Sequence, residues 1–271
     1  MSSTKGTKPM THLTFTVKDQ IATIVLDNPP QNRIDLQMAD ELSEAITAIG
    51  SSDARVVIIR SEGADFSFGG DIMTWPGAET RELRALFERY MSVFNQLELL
   101  PMPVIAEVQG LCFGGGFELA LRADLIFAAE SAEFGHPEQT LGIVTLLGGI
   151  YRVAERAGKS RAAEWAMTSE KVPASEMSRA GVVNRVVSDD KLREEVLAFA
   201  QRIATGATRA YAAHKALLRT WSLGGMAAAD QAMFDIAMPL FEREDTQVGL
   251  NSAVEALKAG RPRPVLEFEG R

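Results

Sequence analysis

Two glutamates and two glycine-rich segments are the residues of this chain best placed to do chemistry. Glu118 falls in the first turn of a helix opened by Gly114-Gly115-Gly116, among Phe117, Leu119, Ala120 and Leu121. An acid in such apolar company either sits in the core, where burial raises its pKa, or is a first-turn glutamate favoured by the helix dipole. Glu138 follows Phe134-Gly135-His136-Pro137 in a loop-like stretch, a setting in which carboxylates are commonly just solvated. Facing one pocket, the two would form a general acid/base pair. If they shared a water, repulsion would discourage both from ionising at once.

The glycine segments run from Gly63 to Ile72 and from Val104 to Ala120. Each places glycines after an apolar strand and ahead of a helix. Backbone N–H groups at a helix start are unpaired and carry a positive partial charge, and glycine removes the Cβ that would keep a ligand away. One N–H from each segment, converging on a carbonyl oxygen, would make an oxyanion hole. The same glycines would serve two tight strand–helix turns equally well.

Other chemistries fail on spacing. Gly158-Lys159-Ser160 looks like the end of a phosphate-binding loop, but Val153 stands where its first glycine must be. The glycines at 114–116 do not fit a dinucleotide G-x-G-x-x-G pattern, and no G-x-S-x-G elbow is present. Cys112 is the single cysteine, which excludes a disulfide framework and a zinc ribbon. His12, His136 and His214 lack metal-ligand spacing.

The elements that must position these residues are legible as patterns. Leu13–Val17 and Ile21–Leu26 read as two strands joined at Asp19-Gln20. Met38, Leu42, Ala45/Ile46 and Ile49 recur at helical spacing, as do Leu83, Phe87, Met91, Phe94 and Leu97/Leu98. Val56–Ile59, Val104–Ala106 and Leu125–Phe127 suit strands buried on both faces. This alternation to about residue 190 predicts an α/β core with parallel strands. Beyond Asp189 three helical stretches, near 190–205, 208–221 and 225–257, are separated by Thr-Gly and Gly-Gly breaks. Their stripe of Met226, Met233, Ile236, Met238, Leu240 and Phe241 packs either on the core or on another subunit.

The 271 residues include 28 Lys+Arg against 36 Asp+Glu, a formal charge of −8. That balance argues against nucleic acid, which needs clustered cations; Asp35–Ala54 holds five acids and no Lys or Arg. It leaves room for an anionic ligand at one local donor site. The first residues carry no apolar signal region, and no window approaches a membrane span. A flexible polar tail over 1–11 and a cytoplasmic protein are expected.

At Phe66-Ser67-Phe68-Gly69-Gly70-Asp71-Ile72, at Gly110–Ala120 and at Phe134-Gly135-His136-Pro137-Glu138 with Leu141-Gly142, the chain resembles the crotonase superfamily of enoyl-CoA hydratases and isomerases. The resemblance covers about Leu13 to Gly260. It implies an α/β fold, a crotonase-like spiral of ββα repeats over 12–190, with a helical C-terminal trimerisation region over 191–271. Homotrimers or dimers of trimers are implied with it.

Carried over by position, the oxyanion donors are the N–H groups of Phe68 and Gly115. Glu118 would match the glutamate that activates water, and Glu138 the one that handles the proton at the α-carbon. Gly69, Gly70, Asp71, Ile72, His136, Leu141 and Leu146 would contact substrate, and Lys258 would either approach the coenzyme A phosphate or be a solvated charge. The implied reaction is hydration of an enoyl-CoA thioester. No cofactor is implied beyond the coenzyme A of that substrate. Isomerisation, C–C bond cleavage and an RNA-binding or scaffolding role are the alternatives.

Three departures either reshape the acyl pocket or pack away from it. Phe68 stands where a small residue is usual, Phe113 and Phe117 bracket the glycines, and Ile143–Gly149 replaces a Pro-Gly turn.

Overall fold

The computed structural model describes residues 10–271. Strands β1 (Leu13–Lys18) and β2 (Ile21–Leu26) pair antiparallel. Asp19 and Gln20 between them both take positive φ, 51° and 62°, the left-handed two-residue turn whose twist suits a hairpin. Helix α1 (Leu36–Gly50) starts where the Asp35 carboxylate accepts the Met38 N–H at 2.8 Å. It buries Met38, Leu42, Ala45, Ile46 and Ile49, the residues whose spacing predicts it. Glu41, on the same helix, accepts the N–H groups of Thr11, His12 and Leu13. Of the tail expected over 1–11, residues 1–9 lie outside the described residues, and Thr11 is tied down.

The chain continues through β3 (Val56–Ser61), α2 (Thr80–Glu98), β4 (Val104–Val108), β5 (Leu111–Phe113), α3 (Gly115–Ala120), β6 (Leu125–Ala129) and β7 (Glu133–Gly135). After them come α4 (Gly149–Ala157), α5 (Lys159–Thr168), β8 (Val172–Pro173), α6 (Ala174–Arg179), β9 (Arg185–Val187) and α7 (Leu192–Ala204). One sheet has the order β1-β2-β3-β4-β6-β9, parallel beyond the first hairpin. Its apolar runs, Val56–Ile59, Val104–Ala106 and Ile126–Ala129, are buried throughout, as parallel strands covered on both faces must be.

A second, smaller sheet has the order β5-β7-β8 and is extended by single bridges from Ser67 to Cys112 and from Ile34 to Gly70. Consecutive strands visit the two sheets in turn, β4 then β5 before α3, and β6 then β7 before the next helices. This is the spiral of ββα turns that the resemblance implies. The strands of the small sheet are two or three residues long, too short to leave a periodicity in sequence.

Helix α7 lies against β2, β3, β4 and β6 and buries Leu192, Val196 and Ala200. Helix α8 (Thr208–Ala237) follows. The Gly224-Gly225 break is a kink within α8, where Gly225 takes φ 71° and ψ −171°. The stretch read as one helix over 225–257 is interrupted again by a 3-10 turn at Met238–Glu242. Pro239 explains the interruption, since it offers no N–H to continue the helix. Helix α9 (Glu244–Lys258) follows.

Along α8 and the following turn, Trp221, Leu223, Met226, Phe234, Met238 and Phe241 are exposed, so the chain's own core does not cover that face. No helix among the described residues is long and apolar enough to cross a membrane.

Candidate active site

The first glycine segment is pinned before it reaches the site. Phe66 is fully buried, and Ser67 Oγ donates to Asn32 O at 2.7 Å while accepting the Gly69 N–H at 3.1 Å. Gly69 takes φ +89°, and a Cβ there would stand 2.8 Å from Phe113 O and 2.9 Å from Gly115 N. No other residue type fits that turn. Beyond it, Gly69 O accepts the Ile34 N–H at 2.8 Å and the Asp71 N–H donates to Ile34 O at 2.9 Å. With both neighbours turned to Ile34, the Gly70 N–H points the other way, as backbone alternation requires.

The Gly70 N–H has no hydrogen-bond partner among the described residues, and neither does the Gly115 N–H, the first of α3. Both residues line one cavity of about 310 Å³. A Cβ on Gly115 would lie 3.4 Å from Gly70 N, so the two amides adjoin.

This corrects the assignment made by position. The Phe68 N–H donates to Gln31 O at 2.9 Å, and the unpartnered amide of this segment among the described residues is that of Gly70. The positive φ of Gly69 resets the alternation, which no spacing rule in the sequence reveals. The Phe68 ring instead walls the cavity, 5.7 Å from the Phe113 ring and under the Arg33 guanidinium.

Glu118 is buried in the first turn of α3. Its Oε1 accepts the N–H groups of Leu147 and Gly149, each at 2.8 Å. Gly149 opens α4, so the carboxylate takes up an N–H that the helix itself leaves unpaired. Burial pushes the Glu118 pKa up, against the pull of those two amides and of Arg122 and Arg152.

Glu138 sits on the 3-10 turn Pro137–Leu141. Its Oε2 is buried without a hydrogen-bond partner among the described residues. Burial first, then the Glu118 charge, raises its pKa to about 7. His136 is buried beside it, stacked on Phe117 at 4.8 Å, and burial lowers its pKa to about 4. Its Nδ1 lies 3.8 Å from Glu138 Oε2, beyond hydrogen-bond reach.

The structure thus brings Glu118, Glu138, Gly70, Gly115, Phe68, Ile72, Leu141 and Leu146 around one cavity. Four other predicted contacts are absent from its walls. Gly69 is behind the loop, and Asp71 caps the Ile72–Thr74 turn by accepting the Met73 N–H at 3.2 Å. His136 backs Glu138, and Lys258 ends α9 exposed to solvent. Leu147 and Gly149 hold Glu118, and their signal in the sequence is Gly148-Gly149, a helix opening like Gly114–Gly116. Trp75, Phe87 and Tyr90 add an aromatic wall. An outer groove of about 860 Å³ along α2 shares Trp75, Phe87, Ile143 and Leu146 with the inner cavity. Among the described residues no three His, Cys, Asp or Glu side chains gather as a metal site.

Such a cavity can stabilise a developing oxyanion and move two protons. The sequence profile of the enoyl-CoA hydratase/isomerase family matches residues 16–260. The chain belongs to that family. It is 32% identical over 258 residues to a probable enoyl-CoA hydratase from Rhizobium meliloti (strain 1021), covering 92% of this chain and 98% of that one. A carnitinyl-CoA dehydratase from Escherichia coli (strain SMS-3-5 / SECEC) is 38% identical over 215 residues, 78% of this chain and 81% of its own. The enoyl-CoA hydratase subunit I structure from Geobacillus kaustophilus HTA426 superposes with a TM-score of 0.88 at 30% identity, covering 97% and 99%.

Membership in the enoyl-CoA hydratase/isomerase family supports an enzyme acting on an acyl-CoA. Within that frame, two of the departures noted in sequence acquire places. The Ile143–Gly149 stretch provides the Glu118 amides and part of the cavity wall, and Phe117 is turned into the core against Phe134 and His136.

Proposed function

We propose that this protein reversibly adds water across the α,β double bond of an enoyl-CoA thioester. The observation that carries the reading is the single cavity lined by two unpartnered main-chain amides and two carboxyl groups held in different electrostatic surroundings. The thioester oxygen accepts the N–H groups of Gly70 and Gly115. The free oxygen of Glu118 takes a proton from water as the water oxygen bonds to the β-carbon. The π electrons move to the α-carbon and thioester oxygen, and protonated Glu138 delivers its proton to the α-carbon.

Each oxyanion donor contributes about 2.7–4 kcal/mol in comparable sites, and each proton-transfer group roughly 10²–10⁴-fold. Asymmetry between the acids supports the roles: Glu138, at about 7, still carries a proton near neutrality, whereas Glu118, also pushed up by burial, has two amides and two nearby arginines pulling the other way. The adenine nucleotide lies near Phe68–Ile72, with the pantetheine between the glycine segments. The inner cavity and the groove along α2 give the acyl group room. No cofactor beyond coenzyme A is called for. The exposed apolar face of α8 is the contact surface of a homotrimer or dimer of trimers in the cytoplasm.

The relatives' names describe hydration and dehydration, one reaction in two directions. The test is product analysis with 2-enoyl-, 3-enoyl-, cyclic acyl- and carnitinyl-CoA. A gain or loss of one water is expected. Double-bond migration or C–C cleavage without it overturns the reading in favour of another reaction on the same oxyanion hole.

A further inference from the structure

Three charged side chains that do not line the cavity are packed against the loop that holds Glu118. The Arg122 side chain is fully buried. It donates to Glu98 Oε2 at 2.8 Å and to Asn95 Oδ1, and its other terminal nitrogen donates to Leu147 O at 2.5 Å and contacts Met91 Sδ. Arg152, on α4, forks onto the same Glu98 carboxylate at 3.0 and 2.6 Å. Leu147 is therefore clamped on both sides: its carbonyl by Arg122 and its N–H by Glu118.

Two cations share one anion, so the cluster is net positive, and its buried Arg122 end lies where charge acts over longer range than in water. Toward Glu118 face Arg122 following α3, Arg152 from α4, Glu138 from its 3-10 turn and uncharged His136 behind Gly149. The charge acting on Glu138 is that of Glu118.

We infer that Arg122, with Arg152 and their shared Glu98, is a positioning residue: it fixes the Leu147–Gly149 loop on Glu118 and keeps the negative charge of the acid pair on Glu118 rather than on Glu138. The inference rests on Glu118 as the base of the proposed hydration. Arg122→Met leaves Glu98 paired with Arg152, so it strands no buried charge. A lysine at 122 keeps the charge but loses the fork that reaches Glu98 and Leu147 together.

The test compares wild type, Arg122→Met and Arg122→Lys by kcat and KM against pH on crotonyl-CoA. Titration of the Glu118 side-chain carboxyl by 13C NMR, assigned with Glu118→Gln, runs alongside. Arg122→Met is expected to lower kcat about 10–100-fold with KM little changed. The acid limb of kcat and the NMR titration of Glu118 should both move up by about one pH unit. Arg122→Lys should restore the acid limb and part of kcat. A merely structural arginine would lower the Tm and leave both titrations in place, and that result overturns the inference. Absence of hydration by wild type defeats the functional reading alone, since the NMR titration still decides Arg122. Should Arg122→Met fail to fold, Arg152→Met, on the better-exposed partner, must shift the Glu118 titration in the same direction, or the inference falls.

Discussion

Gly70 and Gly115 come from successive turns of the spiral, yet a Cβ on Gly115 would stand 3.4 Å from the Gly70 nitrogen. That separation is ordinary van der Waals contact, so a methyl group there fits the fold while filling the space in front of both amides. Gly115→Ala is expected to fold with a nearly unchanged Tm and to lose about 10²–10³ in kcat, the cost of a lost oxyanion donor. Circular-dichroism melts together with turnover on an enoyl-CoA check it. Loss of the fold, or normal turnover, would count against the hole.

The acid pair sets a pH dependence. Glu138 must hold its proton to donate it, so hydration should decline as pH rises through about 7. The measured limbs will belong to the pair, since each charge feels the other. Glu118→Gln removes the charge that helps hold the Glu138 proton, so the Glu138 carboxyl should titrate lower in that variant, which 13C NMR can read. Glu138→Gln should abolish hydration; near-normal turnover would remove its assigned role.

The same group bears on stability. Its folded pKa lies above the usual value of 4.5. Between about pH 4.5 and 7 the folded chain therefore keeps a proton that the unfolded chain has lost, and stability falls as pH rises across that window. Glu138→Gln should flatten this slope and raise the Tm at pH 8 by about 2–4 °C. Parallel Tm–pH curves for the two proteins would contradict the assignment.

One carboxylate collects three amides of the C-terminal segment. Asp245 accepts the N–H groups of Glu269, Gly270 and Arg271, while Arg55 donates to Phe268 O and Gly206 O. Asp245→Ala leaves three amides to find water and should cost about 1–3 kcal/mol. Limited proteolysis should then trim the residues after Lys258 faster than in wild type.

Helix α8 presents Leu223, Met226 and Phe234 to solvent, a face that in water favours burial against another copy. Sedimentation should give a trimer or hexamer. Phe234→Asp should shift it toward monomer; a wild-type monomer would show that the face has another use.

The amino-acid sequence alone determined five of the six strands of the large sheet, helices α1 and α2, and the family. Val56–Ile59, Val104–Ala106 and the α1 stripe are periodic over enough residues to be read without coordinates, because burial demands apolar side chains at a regular repeat. Glu118 and Glu138 stood out for a related reason, as acids in unusual company. Tertiary structure decided what depends on direction rather than type. Whether Phe68 or Gly70 offers its amide turns on the φ of Gly69 and on which neighbours face Ile34. That Leu147 and Gly149 would grip Glu118, with Arg122 clamping the loop, arises between segments about thirty residues apart. Hydrogen bonds of that kind leave no periodicity, since each is made once, between segments that only folding brings together.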